Sequence, residues 1–431
     1  MWPTIELSIQ SSDIVALDME LSGLGDRQKL QLQNIEERYK SICEVCRSRG
    51  VVSLGLATFH LSSTRCYNVA VYNLMLLSER EYMVEPCSLQ FLLDHGFDFN
   101  KQYRDGIRYA PFSDDYIQSS RSSCFASVES LFSSLIRSCK PVVFHNGLID
   151  LAFLYQHFYA PLPLKLNTFL SDLSDIFPSG IFDTKYVAEF CTRDEASYLH
   201  YIFRKRQRRN IMLRLKGEKH IELMFDAGTS DTEFVDWVCC AQSSMGVDAA
   251  AVTVCHQYAN HGYCRASSSC PASHDIDIIL DQQEASKQSK EAKKRRRRRK
   301  RKHTASEENE NSTQVEVSTE TDAQSLHSNE PTRTHSDNKE RNHAKRESPQ
   351  TGGHRAGFDA FMAGFCLVFM AEMESDGKLT SWKEGLLEWR NRLSLSGKPM
   401  PLVITKSHFS KPSGHHVQRL AALTNAHDQV T

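Results

Sequence analysis

Long apolar runs are missing from this sequence. The longest uninterrupted one, Phe361 to Ala371, falls far short of the ~20 residues that a bilayer span needs, so no membrane-spanning segment is expected. A secretory leader is missing as well. Met1-Trp2-Pro3 is followed by Glu6 and mixed sequence without a basic lead, which predicts no signal peptide. Net charge is almost absent, a formal −1 over 431 residues. That average hides ten consecutive basic residues, Lys293 to Lys302, set among acidic stretches. Aromatic residues are absent between Tyr263 and Phe358. A second cysteine pair at metal spacing is lacking near Cys43-x2-Cys46, so these thiols read as structural. Without a secretory leader, thirteen cysteines point to reduced thiols or metal ligands and away from a disulfide framework.

A length of 431 residues allows two or three folded units. Residues 1–245 carry apolar runs punctuated by turn residues. Ile14 to Leu17, Val51 to Phe59, Tyr67 to Leu76 and Val142 to Phe144 predict strands. Ile35 to Arg49, Ser127 to Ser138 and the apolar run from Leu148 to Phe158 predict helices. This order predicts an α/β fold with a mixed sheet flanked by helices. From 281 to 353, Ser, Glu, Asn, Lys and Arg dominate. Such a composition buries too little apolar surface to offset its ordering entropy, which predicts a disordered linker. Beyond it, Phe358 to Met370 predicts a buried helix and Trp382 to Leu393 an amphipathic one. Residues 354–405 would complete the core, leaving 406–431 as a flexible tail.

In Leu17-Asp18-Met19-Glu20-Leu21, the strand period of two puts both carboxylates on one face. Adjacent acids repel each other unless a cation lies between them; alternatively they are merely solvated at a strand end. Two further segments place acids in the first turns of apolar helices: Asp150 in His145-Asn146-Gly147-Leu148-Ile149-Asp150, and Asp359 in His354-Arg355-Ala356-Gly357-Phe358-Asp359. An N-terminal acid complements the helix dipole, and a buried one calls for a partner such as a metal. The two glycines before His354 give it a mobile loop.

Together these segments resemble the DEDD-type 3′→5′ exonucleases with a catalytic histidine. The wording of His145 to Asp150, Phe182-Asp183-Thr184-Lys185 and His354 to Asp359 is similar to that of the CAF-type deadenylases and poly(A)-specific ribonucleases. The resemblance covers about residues 1–210 and 350–405. It implies a ribonuclease H-like fold, two magnesium ions held by Asp18, Glu20, Asp150 and Asp359, and His354 as general base. Asp183 also has a claim to the third acid position. The H-N-x-L-x-D context favours Asp150 and leaves Asp183 supporting through hydrogen bonds. Oxygen ligands suit magnesium, and the implied chemistry is two-metal hydrolysis of a phosphodiester, releasing 5′-AMP from an RNA with a free 3′ end.

Between the third and fourth acids lies Cys255-x8-Cys264-x5-Cys270-x3-His274. Three thiolates and an imidazole at this spacing predict a closed tetrahedral zinc site over residues 250–278. It resembles the Cys-Cys-Cys-His fingers of RNA-binding proteins. Tyr258 and Tyr263 either offer π-faces to bases, with Arg265 for phosphate, or simply pack against the zinc site. The position of the finger in the insert suggests an RNA clamp on a flexible tether.

The basic run comprises Lys293, Lys294, Arg295, Arg296, Arg297, Arg298, Arg299, Lys300, Arg301 and Lys302. It reads as a nuclear-import address, bound by import receptors, or as a phosphate-binding tail. The nuclease-plus-finger combination resembles nuclear deadenylases. That implies a nuclear protein (nucleolus, speckles and Cajal bodies) with partners in those bodies, acting on small nuclear RNAs and poly(A) tails, with a growth-inhibitory role. A non-catalytic nuclear RNA-binding adaptor and a DNA exonuclease on the same fold are the competing readings.

Overall fold

The computed structural model describes residues 2–112, 127–225, 252–266, 269–310, 355–375 and 386–428. One compact unit comprises Met1–Asp277 and Thr351–Thr431; the other is Ile278–Gln350.

The first unit is built on a mixed sheet. Strand β1 (Ile14–Leu21) opens with β-branched and aliphatic residues that are fully buried, as a central strand covered on both faces requires. It pairs antiparallel with β2 (Val51–Ser63), which pairs antiparallel with β3 (Cys66–Ser78). On its other side β1 runs parallel to β5 (Val142–Phe144), and β5 runs parallel to β6 (Ile181–Asp183). Strands β4 (Ile107–Tyr109) and β7 (Glu222–Phe225) both pair with β3. The short β8 (Arg392–Leu393) and β9 (Leu402–Val403) extend the far edge beyond β6. The mixed α/β sheet flanked by helices is the expected fold class.

Local chemistry sets the flanking helices. Ser127 and Ser130 form a reciprocal capping box at the start of Val128–Ser138, which satisfies two of the backbone donors there. Asn34 accepts from the backbone N–H groups of Glu36 and Glu37 at the start of Ile35–Ser48. Cys43 and Cys46 lie on the buried face of that helix, and burial raises both thiol pKa values. Their reading as structural residues agrees with this placement.

The helix Ala356–Phe369 comes from near the end of the chain yet forms the centre of the core. All fourteen of its residues are buried, and it crosses β1 and β2. With its π-helical continuation, Ala356–Glu374 is long and apolar enough for a membrane span, but it is almost entirely enclosed by the sheet and helices.

Three segments differ from expectation. Residues 382–385 lie outside the described residues, and the rest of the expected Trp382–Leu393 helix forms a turn and then β8. Pairing of Arg392 with Phe182 decides this, a non-local contact that overrides helical periodicity. The first part of the expected disordered linker belongs to a helix, Ile276–Glu310, that includes the whole basic run. Asp281 to Glu310 contains no Gly or Pro and is rich in Ala, Glu, Gln, Lys and Arg, so the backbone favours a helix even without a core to bury. The remaining linker residues, 311–353, lie outside the described residues. The expected flexible tail carries the helix Gly414–Asp428. It is anchored where the backbone N–H of Ser413 donates to Asp172 (3.0 Å) and Tyr159 hydrogen-bonds the buried His416 (2.8 Å).

Candidate active site

Strand geometry brings the first two acids together. Across the β1–β2 pair, Asp18 faces Gly55 and Glu20 faces Ser53. The third group arrives from the other end of the chain: Asp359 sits in the first turn of Ala356–Phe369 and is buried. One carboxylate oxygen from each of Asp18, Glu20 and Asp359 falls within 4.8 Å of the others. Asp150, in the first turn of Leu148–Phe158, lies close enough for its charge to act on both Asp18 and Glu20. The sheet and two helix N-termini thus gather all four predicted acids. His354 lies outside the described residues.

The approach of the Asp359 helix depends on residues that the motif reading did not single out. A Cβ on Gly55 would stand 1.9 Å from the Ala356 carbonyl oxygen, so only glycine lets the helix backbone come this near. Asn73 on β3 accepts from the Gly357 N–H through its Oδ1 (2.9 Å), and the Ser53 hydroxyl donates to the same atom (3.3 Å). Strands β2 and β3 therefore cradle the helix N-terminus. The available sequence signal was a glycine inside the buried run Val51 to Phe59, which often marks close backbone approach.

Burial and mutual repulsion dominate the electrostatics. Burial, followed by the charges of Asp359 and Asp150, raises the pKa of Asp18 and Glu20 well above the ordinary carboxylate range. Burial pushes Asp150 up to about 7. A divalent cation among these oxygens would allow all of them to be ionised together. The set is composed entirely of hard oxygen donors, which fits magnesium or manganese.

Asp183 is fully buried and has another task. Its Oδ1 accepts from the backbone N–H groups of Asn146 (2.8 Å), Lys185 (2.9 Å) and Tyr186 (3.4 Å), and its Oδ2 from Ser394 (2.9 Å). Burial still outweighs these bonds and brings its pKa to about 6. Asn146, held in the left-handed region at φ 63°, makes the turn that leads into the Asp150 helix. Asp183 thus supports Asp150 through the backbone. His145 stands beside it, its Nδ1 3.0 Å from the Thr184 hydroxyl. Burial, and then the nearby Lys185, keeps its pKa well below the usual imidazole value.

The second cluster is the finger. One ligand atom from each of Cys255, Cys264, Cys270 and His274 lies within 4.8 Å of the others. Tyr258 donates its backbone N–H to the Cys255 sulfur (3.5 Å), and this bond lowers the thiol pKa. The Tyr258 ring stacks on His274 at 4.4 Å and 6°. The buried Nε2 of His274 makes no hydrogen bond among the described residues. An imidazole nitrogen held this way beside three sulfurs fits a structural zinc ion.

The finger does not sit on a flexible tether. It belongs to the same compact unit as the sheet. Arg204 makes a two-pronged bond to Asp277 (2.9 and 2.7 Å), and Tyr258 meets Tyr198 edge-on at 5.9 Å. Gly262, at φ +68°, lies where a Cβ would be 2.6 Å from the Tyr198 ring. The helix Leu199–Leu215 that receives the finger packs Phe203 against Phe358, Phe361 and Phe365 of the Asp359 helix.

The model of the CAF1 family ribonuclease matches residues 1–122 and 113–367. The chain belongs to the CAF1 ribonuclease family. Poly(A)-specific ribonuclease PARN of Xenopus laevis is 27% identical over 121 residues, 25% of this chain and 19% of that protein. The pre-piRNA 3′-exonuclease trimmer of Bombyx mori is 43% identical over 49 residues, 11% of this chain and 9% of that protein. The chain thus spans a fifth or less of the length of these two CAF1-like relatives. Among solved structures, S. pombe Pop2p in its Mg2+- and Mn2+-bound form aligns with a TM-score of 0.37 at 18% identity, covering 48% of this chain and 77% of that one.

Proposed function

We propose that this chain is a divalent-metal-dependent 3′→5′ exoribonuclease that shortens RNA 3′ tails, adenylated tails among them. The observation that carries the reading is the convergence of Asp18, Glu20 and Asp359 within 4.8 Å, with Asp150 acting on the same group. Membership of the CAF1 ribonuclease family supports it, as do relatives named for poly(A)-specific and 3′-exonucleolytic activity.

Strand β1 would present Asp18 and Glu20, and two helix N-termini would present Asp150 and Asp359, as oxygen ligands for a pair of magnesium ions. When bound, such ions activate an attacking water and stabilise the departing 3′ oxygen. The four carboxylates must be ionised to serve, and Asp183 holds the Asn146 turn so that Asp150 keeps its place. His354, four residues before Phe358, takes the proton of the attacking water in this reading. The product is a 5′-mononucleotide.

The basic run Lys293 to Lys302 supports a nuclear protein recognised by import receptors, and small nuclear RNAs are the substrates this location favours. Neutralising the run should leave the protein in the cytoplasm. The activity is tested by incubating the full chain with matched 3′-tailed RNA and DNA oligonucleotides in magnesium or manganese. The RNA should lose 5′-AMP stepwise and the DNA should not. An RNA-binding protein that never releases AMP would instead be an adaptor.

A further inference from the structure

The finger's two tyrosines have separate fates. Tyr258 is committed to packing between His274 and Tyr198. Tyr263 is 52% exposed, and the guanidinium of Arg27 lies 5.9 Å from its ring centroid. Arg27 belongs to the nuclease core, in the loop that follows β1. The pair therefore joins the finger to the segment bearing Asp18 and Glu20.

Both halves of the pair are held in place. Glu85 accepts from the backbone N–H groups of Leu24 (3.3 Å) and Gly25 (2.5 Å) and pairs with Arg49 (3.0 Å), fixing the loop that leads to Arg27. Tyr263 lies between Gly262, seated against Tyr198, and Cys264 of the metal cluster. An exposed aromatic ring beside an arginine on a rigid base is what an unstacked nucleotide needs: a π-face for the base and a cation for the phosphate. Arg265, two residues further along the chain, is a second exposed cation of the finger. Arg27 follows Glu20 by seven positions, so the two lie at most roughly 25 Å apart, within about seven stacked nucleotides.

We infer that Tyr263 and Arg27 form a composite subsite for single-stranded RNA, binding a base and phosphate upstream of the scissile bond, with half of the site supplied by the finger and half by the nuclease core. This rests on the exoribonuclease reading and identifies where its substrate is gripped. Zinc then governs the engagement of short substrates as well as long ones, unlike a tethered clamp.

The test uses the full chain and an oligo(A) carrying 2-aminopurine at successive positions from the 3′ end. In an Asp18→Asn background, which prevents cleavage, the fluorescence of one upstream position should be quenched on binding. Tyr263→Ala, Tyr263→Leu and Arg27→Ala should abolish that quenching, and Tyr263→Phe should retain it. In the otherwise wild-type chain the first three should raise KM for short oligo(A) about tenfold, with kcat nearly unchanged and zinc content preserved. Tyr263→Leu keeps apolar volume in the finger and Arg27→Ala lies outside it, so finger unfolding cannot mimic the result. Unchanged quenching and KM in zinc-loaded Tyr263→Leu and in Arg27→Ala would overturn the subsite. Failure of the wild-type chain to cleave RNA at all would count separately, against the exoribonuclease reading.

Discussion

Gly55 and Ala356 are separated by three hundred residues of sequence, yet a methyl group on Gly55 would stand 1.9 Å from the Ala356 carbonyl oxygen. This contact lets the Asp359 helix close on the strand that carries Asp18. Gly55→Ala should therefore push the helix away and separate the carboxylates. We expect a loss of turnover of at least a hundredfold and destabilisation of about 1–3 kcal/mol, as for other overpacked core positions. Steady-state kinetics and denaturant melts check both. Asn73→Ala removes the acceptor for the Gly357 N–H and should cost about 1 kcal/mol, with a milder loss of activity.

Asp18→Asn separates stability from function. In the metal-free protein, replacing Asp18, whose pKa is raised by burial and by the charges of Asp359, Asp150 and Glu20, with a neutral side chain should increase Tm. The same change should abolish hydrolysis and weaken manganese binding measured by calorimetry. A lower Tm in the metal-free variant would mean that the carboxylates do not repel one another.

The acids also set a pH dependence. Asp150 is raised to about 7, and Asp18 and Glu20 are raised as well, so near neutral pH the metal-free site holds protons that an ordinary carboxylate would have released. A divalent ion must displace them. Affinity for manganese should fall as pH drops from 8 to 6, with net proton release detected by calorimetry in buffers of different ionisation enthalpy. Equal affinity at both pH values would contradict the assignment.

Asp183→Asn should damage the site without touching it. The amide nitrogen would face the backbone N–H of Ser394 or of Asn146, leaving a buried donor unpaired at a cost of about 1–3 kcal/mol. Loosening the Asn146 turn should lower kcat more than it alters RNA binding. Removal of a general base, His354→Ala, should cost roughly 10²–10⁴-fold in rate and flatten the pH–rate profile, with little effect on stability.

Much of this site was legible because its parts are local. The alternation Leu17-Asp18-Met19-Glu20 fixes two acids on one strand face, and apolar sequence after Gly147 and Gly357 places Asp150 and Asp359 in first helical turns. Gly55, Asn73 and the finger's docking were not legible, because each acts through a partner far away in sequence. Arg204 and Asp277 are 73 residues apart, and chain order alone suggested a tether where the fold makes a joint. The linker misled for another reason. Lack of apolar residues forbids a core, but it does not forbid a helix, and Asp281 to Glu310 carries good helix formers throughout.

In the function proposed for this chain, Asp18, Glu20, Asp150 and Asp359 form one hydrolytic centre on RNA 3′ ends. The most direct measurement compares wild-type and Asp359→Asn full-length protein on an RNA with a 3′ oligo(A) tail and a labelled 5′ end. With magnesium or manganese, the wild type should shorten the RNA one nucleotide at a time and release 5′-AMP. Chelator or the single substitution should stop this while RNA binding persists. Shortening that continues in Asp359→Asn, or that needs no divalent ion, would contradict the account.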